Sequence, residues 1–283
     1  MTAGSPRAKT GIAYRLELSS WVAHRPACID VLEVTAEHFY RVGERPLRRL
    51  AASYPLIVHT SHLSLGTPGP LDRLELEMFG RVVEAAEPLW ISECLGFRRA
   101  GEVNLGCPNP VSLTAETLAL FVEHGREIMS RWGKRLLLGN IASHLSIKGD
   151  ISEPDFLNRF CDETGGGILL DLTNLVVNAR NRGFEPRAWL GAIEPDRIVE
   201  VCIGGCSRLD GRWVASHDTG VEEEAWDLLN EVRAKTPAVA RILVREGNFP
   251  PVADLAAELQ RLGTPSSADA RMGDGTDLAS GRS

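Results

Sequence analysis

Eight short apolar runs, each too brief for a helix and each rich in Ile, Val or Leu, recur along this chain: GIAYRL, IDVLEV, PLIVHTS, LWISECL, RLLLGNI, GILLDLT, IVEVCIG and RILVREG. Segments with helical spacing separate most of them: RPLRRLAAS, LDRLELEMFGRVVEAAE, SLTAETLALFVEHGREIMSRWG, SEPDFLNRFCDETG, PRAWLGAI, EEEAWDLLNEVRAK and PVADLAAELQRL. Ser112 or Thr114 and Ser152 stand where helix caps belong. Near-continuous apolar strands are what a sheet covered on both faces demands, and eight of them alternating with helices predict a single-domain α/β chain, a (β/α)8 TIM barrel over residues 10–263. A doubly wound open sheet is the weaker alternative, because no GxGxxG turn follows the first strand. Residues 1–9 and 264–283 are rich in Gly, Ser, Asp and Ala with little to bury, so the sequence reads as a flexible N-terminal tail and a disordered C-terminal tail.

A formal net charge of −7 over 283 residues makes binding to nucleic acid or an anionic membrane repulsive overall. No apolar run approaches the roughly 18 to 20 residues of a membrane span, and the opening MTAGSPRAKTG lacks the apolar stretch of a signal peptide. The expected compartment is therefore cytoplasmic. There Cys28, Cys94, Cys107, Cys161, Cys202 and Cys206 should be thiols, and their spacing fits neither zinc knuckles nor a disulfide framework.

In a barrel of this kind reactive groups sit at the carboxyl ends of the strands. Reading outward along each run gives Glu33 and Glu37, His59 and His62, Glu93 and Cys94, Asn140, Asp171 and Asn174, Cys202 and Cys206, then His217, and last Arg245 and Glu246. Imidazole, carboxylate and thiolate groups converging on one rim can bind a divalent transition metal. Plainer readings stand beside this one. His59 can be a hydrogen-bonded core histidine, and Cys202 and Cys206 can be small buried residues. Asp171, after three apolar residues, must meet a cation or several amide donors. A Cys202–Cys206 redox couple is disfavoured, because the spacer lacks the helix N-terminus that lowers a thiol pKa. His24 and His124 read as solvated, and VEEEAW as the charged first turn of a helix.

The motifs DVLEVTAEHF, HTSHLSLG, SECL, CPNPVSLTAETL, GGGILLDLTNLVVNARNRGFEP, SHDTGVEEEAWDLL and LVREGNFPPVADLAAEL, in this order from about Gly11 to Leu262, resemble the multinuclear non-heme iron-dependent oxidases, barrel proteins that include the methanobactin-biosynthesis oxidase. The resemblance implies two or three iron ions at the barrel mouth, oxidative rearrangement of a ribosomal precursor peptide, and a small partner protein that presents it. Within that pattern His59, Asp171, Asn174 and His217 match the family's iron-binding positions. Elsewhere the match fails: Cys94, Cys202 and Cys206 stand for histidines, Gly139 and Val244 for glutamates, Arg182 for a histidine and Ala215 for an acid. With fewer acids to offset their mutual repulsion, a cluster of three cations is not expected. One or two iron ions are, with zinc favoured by the thiolates as the alternative and no metal as the third reading.

Two classes of function stay open. One is a divergent metal-dependent oxidase-like barrel acting on a peptide or small thiol-containing substrate in natural-product maturation, held by His59, Cys94, Asp171, Asn174, Cys202, Cys206 and His217. A variant of it keeps one zinc ion with Glu93 or Glu246 as base. The other is a catalytically degenerate barrel that binds a peptide or partner protein, with Arg182 neutralising Asp171 where a cation is missing.

Overall fold

All eight apolar runs form parallel strands: β1 (Lys9–Ala13), β2 (Val31–Thr35), β3 (Leu56–Thr60), β4 (Ile91–Cys94), β5 (Leu136–Gly139), β6 (Gly167–Asp171), β7 (Ile198–Ile203) and β8 (Ala240–Leu243). Each pairs with its neighbours in sequence, and β8 pairs with β1 to close the barrel. The computed structural model describes residues 8–101, 103–236 and 240–264. The stretches 1–7 and 265–283, which hold most of both expected tails, lie outside the described residues; β1 already begins at Lys9.

Nine α-helices are described between and after the strands: α1 (Ser19–Ala23), α2 (Glu44–Ala51), α3 (Arg73–Ala86), α4 (Ala115–Trp132), α5 (Glu153–Thr164), α6 (Leu172–Arg182), α7 (Pro186–Gly191), α8 (Glu223–Lys235) and α9 (Val252–Gly263). Thr114 caps α4 by accepting from the Thr117 amide, and Ser152 caps α5 by accepting from the Asp155 amide. The short α1 and the longer α6 are additions to the sequence reading. Helix α6 follows β6 without an intervening loop, so GILLDLT runs apolar straight from strand into helix and hides the boundary. His124 corrects its reading as solvated: it is buried on α4, with its ring nitrogens 2.9 Å from the carbonyl oxygens of Leu65 and Gly69. There the imidazole ties α4 to the loop after β3, whereas His24 is exposed as expected. Among the described residues no helix is long and apolar enough to cross a membrane.

Strand residues alternate between two cores. Outward-facing Leu32, Val34, Val58, Leu138, Leu170 and Ile203 pack against helix residues such as Phe79, Phe121, Phe156 and Phe160. Inward-facing Ala13, Val31, Ile57, Trp90, Leu137, Leu169, Cys202 and Ile242 fill the barrel. A register shift between β6 and β7 pairs Ile168 with Ile198 and then Leu169 with Glu200, so Val199 is an extra residue, a bulge. Past it Glu200 and Cys202 fall on the inner face, where the Trp90 indole donates to Glu200 at 2.7 Å.

Loops at the carboxyl ends of the strands carry the irregular structure. One hairpin (Phe97–Ala100 with Val103–Asn109) follows β4, a second (Ser207–Leu209 with Arg212–Val214) follows β7, and a long segment joins β5 to α5.

Candidate functional site

The carboxyl ends of the strands surround a cavity of about 350 Å³. His59, Cys94, Asp171, Asn174, Cys202, His217 and Glu246 line it, together with Arg15, Glu33, Thr35, His38, Gly139, Asn140 and Val244. Chain positions as distant as Arg15 and Glu246 thus meet at one rim, as the barrel topology requires.

On one wall His59 and Cys94 form a pair, Nε2 to Sγ at 3.9 Å. The other ring nitrogen of His59 lies 2.9 Å from Ser92 Oγ, a contact that fixes the ring and leaves Nε2 for the pair. Burial pushes the Cys94 thiol well up, and the nearby Glu93 and Glu37 carboxylates push it further.

On the opposite wall Asp171 ends β6 and caps α6, accepting from the Asn174 amide at 2.8 Å. Its other oxygen lies 3.6 Å from His217 Nε2. Asn140 brackets the Asp171 backbone, donating to its carbonyl at 2.9 Å and accepting from its amide at 2.8 Å, and the Asn174 side chain donates to the Asn140 carbonyl at 2.9 Å. Burial raises the Asp171 carboxyl, opposed by the His217 imidazole and the amides of the helix cap.

His217 is held in an unusual way. Its φ of 51° is left-handed, a region that costs a side-chain-bearing residue energy and is retained where the surroundings enforce it. Its amide donates to the Gly205 carbonyl, and its own carbonyl accepts from the Glu246 amide. Its ring lies against Gly204, where a Cβ would come within 2.3 Å of Cδ2. The glycine pair of VCIGGC thus makes room for an imidazole, and His217 Nε2 is shut off from solvent with no hydrogen-bond partner.

Below the rim, Cys202 points its thiol at Glu33 Oε2, 3.9 Å away, and Glu200 Oε1, 3.8 Å away. Ligand atoms of Glu33, Glu200 and Cys202 all lie within 4.8 Å of one another, and among the described residues this is the one set of three such side chains that close. Burial raises Glu200 well above the ordinary carboxyl range, reinforced by Glu33, and raises the Cys202 thiol, reinforced by both acids.

Other expected site residues stand elsewhere. Cys206 is buried beside the Arg180 guanidinium, 3.5 Å away, and does not line the cavity. Glu93 is fully enclosed and spends its oxygens on the Leu63 and Cys94 amides, at 2.9 and 2.8 Å, so it fastens a loop and faces away from the cavity. Glu246 does reach the rim, but Arg15 grips both its oxygens. Burial alone would raise that carboxyl; the Arg15 bonds and charge outweigh it and hold the group low, which makes it a weak base. Arg182 donates to the Ser143 and Leu145 carbonyls, away from Asp171. Sequence reasoning passed over Arg15 and Glu200. A usable signal existed for the second, since Glu200 shares the two-residue strand period with Cys202.

The donor set suits a transition metal: imidazoles of His38, His59 and His217, thiols of Cys94 and Cys202, and carboxyls of Glu33, Asp171 and Glu200, with His217 Nε2 left without a hydrogen bond beside Gly204. Gly139, Ala215 and Val244 contribute no ligand, which limits the charge that can be held.

The chain matches the model of a family described as "RiPP precursor modification enzyme MbnB/TglH/ChrH" over residues 9–265. A UPF0276 protein of Rhizorhabdus wittichii is 31% identical over 238 residues, covering 83% of this chain and 86% of that one. One from Chromobacterium violaceum is 32% identical over 230 residues, covering 80% and 83%. Among solved structures, a putative xylose isomerase from Rhodospirillum rubrum superposes with a TM-score of 0.56 at 16% identity, covering 92% of this chain and 99% of the other. D-psicose 3-epimerase from Clostridium cellulolyticum gives 0.55 at 12% identity, covering 94% and 97%. At such identities these two likenesses concern the barrel alone.

Proposed function

The chain belongs to the RiPP precursor modification enzyme family MbnB/TglH/ChrH, and from that premise we propose that it modifies a ribosomally made precursor peptide at the barrel mouth with a transition-metal ion bound there. The observation that carries this reading is the gathering of His59, Cys94, Asp171, Asn174, Cys202 and His217 around one cavity, with His217 Nε2 buried, without a hydrogen bond and 3.6 Å from the Asp171 carboxyl. Iron is the ion the resemblance favours, and zinc is the one that the extra thiols would accept. Such an ion supplies a Lewis-acid centre that can hold and polarise a substrate thiolate.

The side chains divide the remaining work. Ser92 keeps the His59 ring turned so that Nε2 is free, and Asp171 faces His217 so that its imidazole keeps one orientation. The Arg15–Glu246 ion pair is neutral overall and keeps Glu246 from acting as a strong base at the rim. Val103 and Leu105 on the first hairpin, Leu145 and Ile147 after β5, and Leu209 on the second hairpin are exposed apolar side chains in loops on this same face. A peptide laid across the mouth would cover them. A cysteine-bearing peptide, presented by a small partner protein, is the substrate class this surface suits.

The test combines metal analysis of the purified chain with mass spectrometry of cysteine-containing peptides encoded beside its gene and co-expressed with it. A stoichiometric metal and a mass change that disappears in His217→Ala support the proposal. A metal-bearing chain that leaves every such peptide unchanged would favour the second reading, a peptide-binding barrel without catalysis, for which the locked Arg15–Glu246 pair is the specific support.

A further inference from the structure

Cys202 belongs to two layers of the barrel. Upward it lines the cavity; downward its thiol meets Glu33 and Glu200. All three are at least nine-tenths buried, and around them the inner face is apolar, with Ala13, Ile57 and Ile242 among its residues. Two carboxyl groups with oxygens within 4.8 Å of each other in such a place need either a bound proton or a cation between them. The donors seen at Glu200 are neutral, the Trp90 indole and the Cys202 thiol, so neither removes that need. The indole fixes one oxygen of Glu200 and leaves Oε1 directed at the sulfur, as an outer hydrogen bond orients a metal ligand. At the rim, by contrast, the expected ligands are described only in pairs, His59 with Cys94 and Asp171 with His217.

We propose that a single divalent transition-metal ion is held by Glu33, Glu200 and Cys202, one layer below the histidines of the rim, with its open side toward the cavity. This rests on the reading that the pocket is a metal site and adds where the anchoring ligands are. Two carboxylate oxygens and one thiolate sulfur make a set that zinc, cobalt or ferrous iron accepts. Gly139 and Val244 offer no acid at the rim, and Glu33 and Glu200 place two carboxyl ligands just below it. Glu33 and Cys202 both line the cavity, which provides the entry path.

The experiment loads the full-length chain with cobalt(II) and measures metal per chain, affinity and the thiolate-to-cobalt charge-transfer band in the near ultraviolet. Wild type should bind one ion with that band. Glu200→Gln and Glu33→Gln should each weaken binding by about 100-fold or more, since each removes a ligand. Cys202→Ser should abolish the band. His217→Ala should keep both the ion and the band. The proposal is overturned if Glu200→Gln binds as wild type does, or if wild type takes up no ion. It is also overturned if His217→Ala loses the ion while Glu200→Gln keeps it, an outcome that would leave the peptide-modifying reading standing. Should the Gln variants fail to fold, X-ray absorption at the metal edge of wild type decides: one sulfur with light oxygen scatterers supports the inner site, and an imidazole-dominated shell without sulfur defeats it. A loaded chain that modifies no peptide would count against the function and leave this site intact.

Discussion

The two faces of the same eight strands obey one alternation and do opposite things. Outward residues such as Leu32, Val58, Leu138 and Leu170 are aliphatic, and helices with Phe79, Phe121, Phe156 and Phe160 cover them, while the outward polar residues at strand ends, Thr60 and Glu93, are hydrogen-bonded. Inward residues are mixed: Val31 shares its strand with Glu33, Ile57 with His59, and Val199 with Glu200 and Cys202. An outer face gains by being apolar, because a polar atom there loses water beneath a helix and must find a partner within the fold, as Glu93 does with two amides. The inner face ends in an open mouth, so polar groups cost less toward the rim and can be kept for chemistry. Stability and function are thereby separated by a two-residue period.

Cutting into the outer face should have the largest effect on stability. Phe156 is fully buried and meets Phe121 edge to face at 5.5 Å between ring centres. Phe156→Ala should cost about 3–5 kcal/mol in urea unfolding while any metal bound at the mouth keeps its stoichiometry in the folded fraction. A variant that unfolds no more easily than wild type would break the division of labour. Next in size is Gly204→Ala on the inner side. The added Cβ would collide with the His217 ring and with the Val244 carbonyl, 2.8 Å away. A cost of about 1–3 kcal/mol is expected, with the His217 NMR resonances displaced. Unmoved resonances would mean that the imidazole does not need the glycine cradle.

How much of this could be read from the chain follows from the same contrast. The outer face announces itself, since short strands built on aliphatic triplets, such as LIVHT and GILLD, leave few alternatives once eight of them alternate with helices. Both hairpins stayed hidden, because CPNP and CSRLDGRW carry no sustained alternation. Helix α6 stayed hidden because Asp171 serves at once as strand end, cap and cavity wall. At the mouth, residue type told which groups carry chemistry but not which way they turn. Glu93 and Glu246 both looked like bases; one is consumed by two amides and the other by Arg15. Glu200 was legible through its two-residue spacing from Cys202, although the bulge at Val199 sets it out of step with the start of its strand.

A smaller effect separates charge from shape at Asp171. Asn is as good a helix cap as Asp, so Asp171→Asn should change unfolding by less than about 0.5 kcal/mol, whereas Asp171→Ala should cost about 0.5–2 kcal/mol through the lost bond to the Asn174 amide. If the carboxylate serves only the cap, the His217 imidazole resonances in the Asn variant should stay at their wild-type positions. A shift confirms that the 3.6 Å contact carries charge as well as geometry.

The smallest effect, none at all below pH 9, compares a buried thiol of the outer core with an exposed one on the rim. Cys161 lies on α5 within the outer core, and burial pushes its thiol up to about 12, only partly opposed by Arg197 and Arg135. Cys107 is exposed on the hairpin after β4. A thiol raised in the fold keeps a proton that the unfolded chain releases near its ordinary value of 9.0. Its contribution to stability is therefore complete below pH 9 and is lost as the pH climbs toward 12. Iodoacetamide at pH 8 should label Cys107 within minutes and leave Cys161 untouched until the chain unfolds. Replacing Cys161 with Ala should flatten the fall in unfolding midpoint between pH 9 and 11, at the expense of a small cavity. Labelling of Cys161 in the native state at the rate of Cys107 would show that α5 opens locally, and the outer face could then no longer be treated as the rigid half of the barrel.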